Sequence, residues 1–390
     1  MSLIYSSHAA PSVAGIDIRE PQSQNVLAQA ALNEILARGA PLLGVDTSCT
    51  RSSPTCDWMR NFSDKTRLVE MNLPGTHDTA TGNYSDETQA SLIRYTGPIP
   101  AAKMFRCQER SILQMLNDGI RVFDLRVAYN PGNDTIGFHH SIALLAPQTT
   151  LSDVLFGIYN WLSNHPTEAI LASINHESGT GTPYDPKFQE LLYKALNDNG
   201  AAAGWWVQAK DTLGTLGQAR GKLTLLQRFD YDMLPSTPQF SKRIGIHLGP
   251  SKWTDNGQSI ELVYNDATGA TAFIEDYYQP TLPADPAPTL ASYIQAKFDV
   301  TTQHLLNATQ LSQDQLYISF ASAAYIASPE VTPRDFALGN GNDVSGINQR
   351  LLTWFKDPTR KGKRIGIVML DFYDAVPGLI EALIKPGSGV

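Results

Sequence analysis

The sequence predicts an α/β fold, a single distorted (β/α) barrel of the TIM type that carries an N-terminal extension. Three observations favour this fold. Short apolar runs alternate with helical segments from about residue 57 to the C-terminus, as in parallel sheets whose strands are joined by crossover helices. No internal repeat or low-complexity linker divides the chain of 390 residues. The hydrophobic content of 42% is ample for one large core.

Strands are predicted at short apolar runs, each of which is followed by polar residues. These runs are residues 67–73, 120–127, 169–174, 222–226, 316–320 and 365–370. Apolar residues with helical spacing lie between the runs. The predicted helices are residues 107–118, 151–164, 186–197, 289–307 and 346–355. Residues 234–289 break the alternation, and we expect long loops there because the segment is rich in Gly, Pro and Asp.

Residues 1–56 are predicted to be an extension packed on the barrel, which itself spans residues 57–390. Within the extension, residues 26–38 have the apolar spacing of a helix. Cys49 and Cys56 could close one short loop or remain free thiols. No signal peptide is visible, because the N-terminus lacks a basic segment and a continuous apolar stretch. Either the protein is cytoplasmic or a leader is absent from this chain.

The charge and hydropathy of the chain exclude several partner classes. The formal net charge of −8 disfavours nucleic acid, whose phosphates an acidic protein repels. The same charge argues against tight electrostatic docking on anionic membranes. No apolar run approaches the roughly 20 residues that a membrane-spanning helix requires.

Polar residues that follow the predicted strands are the candidates for chemistry, because barrel active sites form where strands end. His77 and Asp78 follow the Pro74–Gly75 turn, although most such pairs are ordinary loop residues. Strand alternation places Asp124 and Arg126 on one face of their strand. The two residues could belong to a functional site that binds an anionic ligand, or they could form a simple internal ion pair.

A second set of candidates follows later strands. Of the neighbouring His139 and His140, one must point into the barrel and the other away. Asp371 follows the last apolar run, where a carboxylate is costly unless it is paired. The two sets together supply two histidines, one arginine and three carboxylates. Phosphodiester transfer without a metal needs such a set: a base, an acid and a fixed positive charge. No zinc-type motif is present, and no metal or other cofactor is expected.

Five motifs resemble those of the bacterial phosphatidylinositol-specific phospholipases C, the X-domain family. They are Pro-Gly-Thr-His-Asp at 74–78, Gly-Ile-Arg-Val-Phe-Asp-Leu-Arg at 119–126, the His pair at 139–140, Ala-Arg-Gly-Lys-Leu-Thr-Leu-Leu-Gln-Arg at 219–228 and Asp-Phe-Tyr at 371–373. The resemblance implies a distorted barrel that cleaves phosphatidylinositol to diacylglycerol and inositol 1,2-cyclic phosphate. It also implies secretion, a monomer, and peripheral contact with membranes during catalysis.

The resemblance also implies roles for individual residues. His77 is similar to the base that takes the inositol 2-hydroxyl proton, and Asp371 to the residue that orients it. His140 is similar to the general acid, which Asp78 assists. Arg126, with Asp124 beside it, stands where animal members of the family hold calcium.

Substrate contacts follow from the same resemblance, with myo-inositol or inositol phosphate expected in the pocket. Arg228 matches an arginine that holds inositol hydroxyls, although it could also be a surface arginine. Asp276 and Tyr278 resemble an Asp-x-Tyr pair whose ring stacks on inositol, with Tyr277 as the alternative ring. Asn175 stands where a lysine is common, and Ser141 where glycine is common after the second histidine.

Membrane contact is predicted within residues 91–105, which carry the apolar side chains Ile93 and Tyr95. The alternative for this segment is a helix packed on the barrel. Trp205 and Trp206 are a rival surface, but they precede a strand and so belong to the face opposite the chemistry.

Two other functions compete with this one. A related barrel phosphodiesterase acting on other lipids would need a divalent cation and a carboxylate cluster, which Arg126 argues against. A non-catalytic phosphoinositide-binding module would be expected to lack one member of the catalytic set. His77, Asp78, Arg126, His140 and Asp371 are all present.

Overall fold

The fold is a barrel of parallel strands with helices outside it. The computed structural model describes residues 19–46, 49, 53–198, 200–327 and 330–387, and the side chains from residue 25 onward. The strands are β1 Leu73–Thr76, β2 Val122–Tyr129, β3 Ile136–His140, β4 Ala143–Leu144, β5 Ile170–His176, β6 Leu223–Arg228, β7 Ile246–His247, β8 Ile260–Asn265, β9 Ala270–Glu275, β10 Leu316–Phe320 and β11 Ile367–Leu370. The helices are α1 Arg19–Leu43, α2 Asp86–Thr96, α3 Ile112–Asp118, α4 Leu151–Asn164, α5 Pro186–Leu196, α6 Leu216–Ala219, α7 Leu290–Gln310, α8 Pro333–Leu338, α9 Ile347–Lys356 and α10 Leu379–Ile384.

The sheet has the strand order β7-β6-β5-β2-β1-β11-β10-β9-β8. Neighbouring strands from β7 to β9 along this order pair in parallel. β8 pairs antiparallel with β9, and β3 pairs antiparallel with β2. Eight parallel strands therefore form a nearly closed barrel, which is open between β7 and β8. The predicted fold class, a distorted TIM-type barrel, is confirmed.

Close packing at the first barrel strand explains why a glycine stands there. A Cβ atom at Gly75 would lie 2.4 Å from the sulfur of Met369 and 3.0 Å from the Cβ of Val122. Gly75 therefore lets β1 approach its neighbours β11 and β2, with which it pairs. This close fit fixes the strand that delivers His77.

The first predicted strand was misplaced. Residues 67–73 were predicted as a strand, but Leu68–Glu70 form a 3-10 turn in which the Glu70 carboxylate accepts from the Arg67 N–H at 3.3 Å. Leu68 and Val69 are buried without strand pairing, so their apolar character misled the prediction. The strand begins only at Leu73, whose N–H bonds to the carbonyl of Gly366.

Residues 234–289 were predicted as loops, but they contain three strands. β8 and β9 form an antiparallel hairpin, and β9 pairs in parallel with β10 as a barrel strand. The turn between them contains Gly269 at φ +70°, a conformation that favours glycine. β8 alternates buried and exposed residues, which is the signal that the abundance of Gly and Pro obscured.

The N-terminal extension contains the predicted helix 26–38 as part of α1. Its end packs against α4, where Leu43 lies over Gly157 and a Cβ on that glycine would be 2.3 Å from Leu43. Arg38 pairs with Asp153 at 2.8 Å across the same contact. A disulfide joins Cys49 to Cys56. Residues 1–18 lie outside the described residues, and the division into residues 1–56 and 57–390 stays a prediction.

Candidate active site

A cavity of about 750 Å³ opens at the carboxyl ends of the barrel strands. Seven of the predicted site residues line its wall: His77, Arg126, His140, Asn175, Arg228, Asp276 and Tyr278. Ser141, which follows His140, also lines the wall. Asp78, Asp124 and Asp371 are buried directly behind this wall. The structure therefore brings the predicted catalytic residues and substrate contacts to one place.

His77 is held by a carboxylate from the last barrel strand. Its Nδ1 lies 2.9 Å from Oδ1 of Asp371, which leaves Nε2 for the cavity. Burial, followed by the charge of Arg126, lowers the pKa of His77 well below 6.5. Burial and the nearby Asp78 carboxylate raise the pKa of Asp371 well above its ordinary value. His77 is therefore a neutral imidazole at neutral pH, the form that a general base requires.

His140 has the opposite protonation behaviour. Its Nδ1 lies 2.6 Å from the carbonyl oxygen of Phe105 and 3.0 Å from Oδ2 of Asp78. Burial acts to lower the pKa of His140, but the Asp78 carboxylate outweighs it and the pKa is raised. His140 is therefore suited to donate a proton, whereas His77 is suited to accept one. Environments that separate two pKa values in this way assign acid and base roles.

Arg126 supplies a fixed positive charge beside the two histidines. Its Nε lies 3.0 Å from Oδ2 of Asp124, and its Nη1 lies 3.8 Å from the Glu177 carboxylate. Asp124 also lies 3.3 Å from Nη1 of Arg228. Burial acts to raise the pKa of Asp124, but Arg126 and Arg228 outweigh it and lower that pKa to about 2. The carboxylate thus fixes both guanidinium groups at the cavity.

His139 and His140 point to opposite sides, as strand alternation predicts. His140 faces the cavity, whereas His139 is buried and its Nε2 lies 3.0 Å from the carbonyl oxygen of Tyr129. The structure also distinguishes the two neighbouring tyrosines, Tyr277 and Tyr278, by their positions relative to the cavity. Tyr278 lines the cavity, while Tyr277 is buried and its hydroxyl accepts from the N–H of Thr281.

Three residues that the sequence analysis did not select complete the site. The Trp253 ring lies 3.7 Å from the Arg228 guanidinium carbon, and its Nε1 donates to Asp276 at 2.8 Å. Gln108 donates from Nε2 to the carbonyls of both His77 and Leu370, at 2.7 and 2.8 Å. It thereby ties the ends of β1 and β11 together. Trp253 lies in the segment predicted as loops, and Gln108 in a predicted helix, so neither position gave a signal.

Glu177, the third residue, connects the turn after His140 to Arg126. Its Oε1 accepts from the Ser141 N–H at 2.7 Å. Ser141 has φ +50°, the left-handed conformation that glycine adopts most readily. Asp78 and Phe372, which follow His77 and Asp371, both have φ +43°. Left-handed residues thus follow His77, His140 and Asp371, at the ends of three of the strands that deliver the site.

The predicted membrane-contact residues Ile93 and Tyr95 lie on α2, which packs on the barrel through Leu92, so the alternative of a packed helix holds for this helix and membrane contact stays a prediction. Leu92 is buried beneath the helix, whereas Ile93 is 56% exposed and Tyr95 is 38% exposed. Trp206 is buried and donates to the Tyr159 hydroxyl, and this excludes it as a membrane anchor. None of the described helices is long and apolar enough to cross a membrane.

The chain is similar to known proteins, although no family model matches it. A 1-phosphatidylinositol phosphodiesterase of Listeria monocytogenes is 25% identical over 323 residues, which cover 82% of this chain and 82% of the relative. A Staphylococcus aureus protein of the same name is 22% identical over 269 residues, covering 69% of this chain and 75% of the relative. The structure of a double mutant of the S. aureus phosphatidylinositol-specific phospholipase C aligns with a TM-score of 0.64 at 20% identity, covering 85% of this chain and 97% of that one. These similarities confirm the resemblance that the motifs indicate.

Proposed function

The chain is related to the bacterial phosphatidylinositol-specific phospholipases C, and we propose that it cleaves phosphatidylinositol without a metal ion. The observation that carries this proposal is the histidine pair. The rings of His77 and His140 lie 6.1 Å apart at one cavity, and their pKa values are shifted in opposite directions. A phosphodiester placed between them has a base on one side and an acid on the other.

The reaction begins when His77 takes the proton of the inositol 2-hydroxyl. That oxygen attacks phosphorus, and the bond from phosphorus to the diacylglycerol oxygen breaks. His140 then protonates the departing oxygen, so the products are diacylglycerol and inositol 1,2-cyclic phosphate. Arg126 stabilises the negative charge that grows on the phosphoryl oxygens.

The inositol ring is held by the outer part of the cavity. Arg228 and Asp276 face the sugar hydroxyls, with Trp253 fixing the orientation of both. Tyr278 supplies the ring that stacks on inositol, and its hydroxyl donates to Asp255 at 2.8 Å. Asn175, which pairs with Arg228 across β5 and β6, offers a neutral amide where related enzymes carry a lysine.

The direct test of this function is release of inositol 1,2-cyclic phosphate from pure phosphatidylinositol vesicles. We expect the rate to be unchanged by excess chelator, because Arg126 supplies the charge that a cation would otherwise provide. Loss of activity in chelator, restored by calcium, would show that the reaction depends on a metal. Binding of inositol phosphate without any cleavage would identify a non-catalytic module instead.

The pH dependence of kcat/KM should reflect both histidines. His77 must be neutral, and its lowered pKa places the acid limb below pH 6.5. His140 must be protonated, and its raised pKa places the alkaline limb above pH 6.5. Because Asp78 raises the pKa of His140, Asp78→Asn should move the alkaline limb to lower pH and leave the acid limb in place.

The control for this profile is Asp255→Asn, which removes a cavity carboxylate that does not contact either histidine. Both limbs should stay where they are in that variant. An alkaline limb that is the same in wild type and Asp78→Asn would contradict the assignment of His140 as the acid.

We propose that the protein is a monomer, secreted, and peripheral on membranes during catalysis. The Cys49–Cys56 disulfide is consistent with an oxidising compartment. Ile93 and Tyr95 on α2 are the proposed contacts with the lipid surface. With a net charge of −8, binding should depend on apolar insertion and little on anionic lipid.

The membrane prediction is tested with the double variant Ile93→Ser/Tyr95→Ser. Vesicle binding should weaken, while cleavage of a water-soluble inositol phosphodiester should stay near the wild-type rate. The matched control is Leu311→Ser, which removes a side chain 55% exposed at the opposite end of the barrel, before β10. Equal losses in the two assays, or unchanged vesicle binding, would exclude α2 as the contact.

A further inference from the structure

We propose that Cys107, His140 and Asp78 form an inhibitory site for a thiophilic divalent cation such as zinc. Cys107 has no role in the proposed reaction, and its thiol is fully buried beside the general acid. Its Sγ lies 3.9 Å from Nδ1 of His140, which itself lies 3.0 Å from Oδ2 of Asp78. One ligand atom from each of the three residues lies within 4.8 Å of the other two.

This spacing matches the coordination geometry of zinc. With bonds of about 2.0 Å to nitrogen and oxygen and about 2.3 Å to sulfur, tetrahedral zinc holds its ligand atoms roughly 3.3–3.7 Å apart. His140 Nδ1 lies 3.0 Å from Asp78 Oδ2 and 3.9 Å from Cys107 Sγ, and these two separations bracket that range. Small side-chain movements would therefore bring the three ligand atoms into the geometry that zinc requires. Thiolate, imidazole and carboxylate are also the donor types that zinc prefers.

A second, independent observation points to a ligand at this place. Oδ1 of Asp78 has no hydrogen-bond partner, although the side chain is completely buried, whereas Oδ2 forms an ion pair with His140. Buried carboxylate oxygens are normally satisfied by donors, so the unpartnered Oδ1 is unusual. A cation between Asp78 and the Cys107 thiol would satisfy this carboxylate.

Binding is a balanced exchange of one dication for two protons. Cys107 releases its thiol proton and the His140 imidazolium releases the proton on Nδ1, so the net charge of the site is unchanged. Both protons pass to water, and the hydrogen bond from His140 to the Phe105 carbonyl is lost. A metal at Nδ1 removes the imidazolium that the proposed reaction needs, and it also occupies Asp78.

The position of Cys107 makes inhibition slow. The thiol lies behind His140 as seen from the cavity and is not part of the cavity wall. Its segment, residues 106–108, has no regular secondary structure. Because the thiol is fully buried, a cation reaches it only through a local opening of the protein, and we expect inhibition to develop with time of incubation.

The activity test rests on the proposed function and uses zinc alone in buffer without reductant. Wild-type lipid cleavage should fall with time by roughly 10²-fold, the loss expected when the general acid is removed, and chelator should restore it. Cys107→Ser should keep its basal activity and resist zinc. Cys107→Ala serves the same purpose if the serine variant does not fold. The matched control, Cys49→Ser/Cys56→Ser, should remain sensitive.

Binding is measured separately, so that failure of the proposed function can be distinguished from failure of the metal site. Cadmium, used as the probe, should give one thiolate charge-transfer band per molecule in wild type and in the inactive variant His77→Ala. The band should disappear in Cys107→Ser and weaken in Asp78→Asn, but persist in Asp371→Asn. A missing band, a band that survives Cys107→Ser, or zinc inhibition of Cys107→Ser would overturn the proposal.

Discussion

Replacing His77 or His140 with alanine is expected to lower the cleavage of phosphatidylinositol by about 10²–10⁴-fold in each case, with the protein still folded. His77→Ala removes the proposed base that Asp371 holds at 2.9 Å, and His140→Ala removes the proposed acid beside Asp78. The measurement is kcat on pure phosphatidylinositol vesicles, with circular dichroism to verify folding. The double variant should lose less than the product of the two single losses, because the two histidines act in one proton transfer sequence.

A matched control for these variants lies elsewhere on the surface. His247 forms a similar histidine–aspartate pair, with its Nε2 2.9 Å from Oδ1 of Asp230, but it does not line the active-site cavity. His247→Ala should leave kcat near the wild-type value. If either His77→Ala or His140→Ala cleaved lipid at a near-normal rate, that histidine would have no part in the mechanism.

The second large effect is expected at Arg126. Arg126→Lys keeps a positive charge but loses the planar donors that contact Asp124 and face the phosphoryl group. We expect kcat to fall by about 10²–10³-fold with a smaller change in KM, because the interaction strengthens in the transition state. Arg60→Lys, at an exposed position where Arg60 pairs with Asp57 at 3.1 Å outside the cavity, is the control and should leave kcat unchanged.

Arg126→Asp tests why an arginine stands at this position. The substitution would add a carboxylate next to Asp78 and Asp124, so the variant should bind calcium weakly. We expect its low activity to rise when calcium is added, whereas that of Arg126→Lys should not. A calcium response in the wild-type enzyme would contradict the role assigned to the guanidinium.

The residues of the site could be predicted because their signals are local. His77 and Asp371 each follow a short apolar run that forms a barrel strand, and barrel architecture brings the ends of such strands together. His140 ends β3, which pairs with the neighbouring barrel strand β2. Asp124 and Arg126 share a face because strand side chains alternate with a period of two. These inferences need only the position of a residue within its own strand.

The missed features depend on partners that are distant in sequence. β9 is a barrel strand because β10 pairs with it, and Trp253 reaches the site because Arg228 and Asp276 lie against its ring. Residues 67–73 show the converse case. Their apolar side chains are buried, but a capped 3-10 turn rather than a strand carries them into the core.

The sequence by itself indicated the fold class, the order of most strands and helices, and many of the residues that meet at the barrel mouth. These follow from periodicity and from motifs that lie within a few residues of one another. Only the tertiary structure decided how the pKa values of the two histidines differ, because burial and charges from other strands shift them in opposite directions. It also decided that Tyr278 rather than Tyr277 faces the cavity and that Cys107 lies beside His140. Such contacts join residues far apart in the chain, so no local pattern records them.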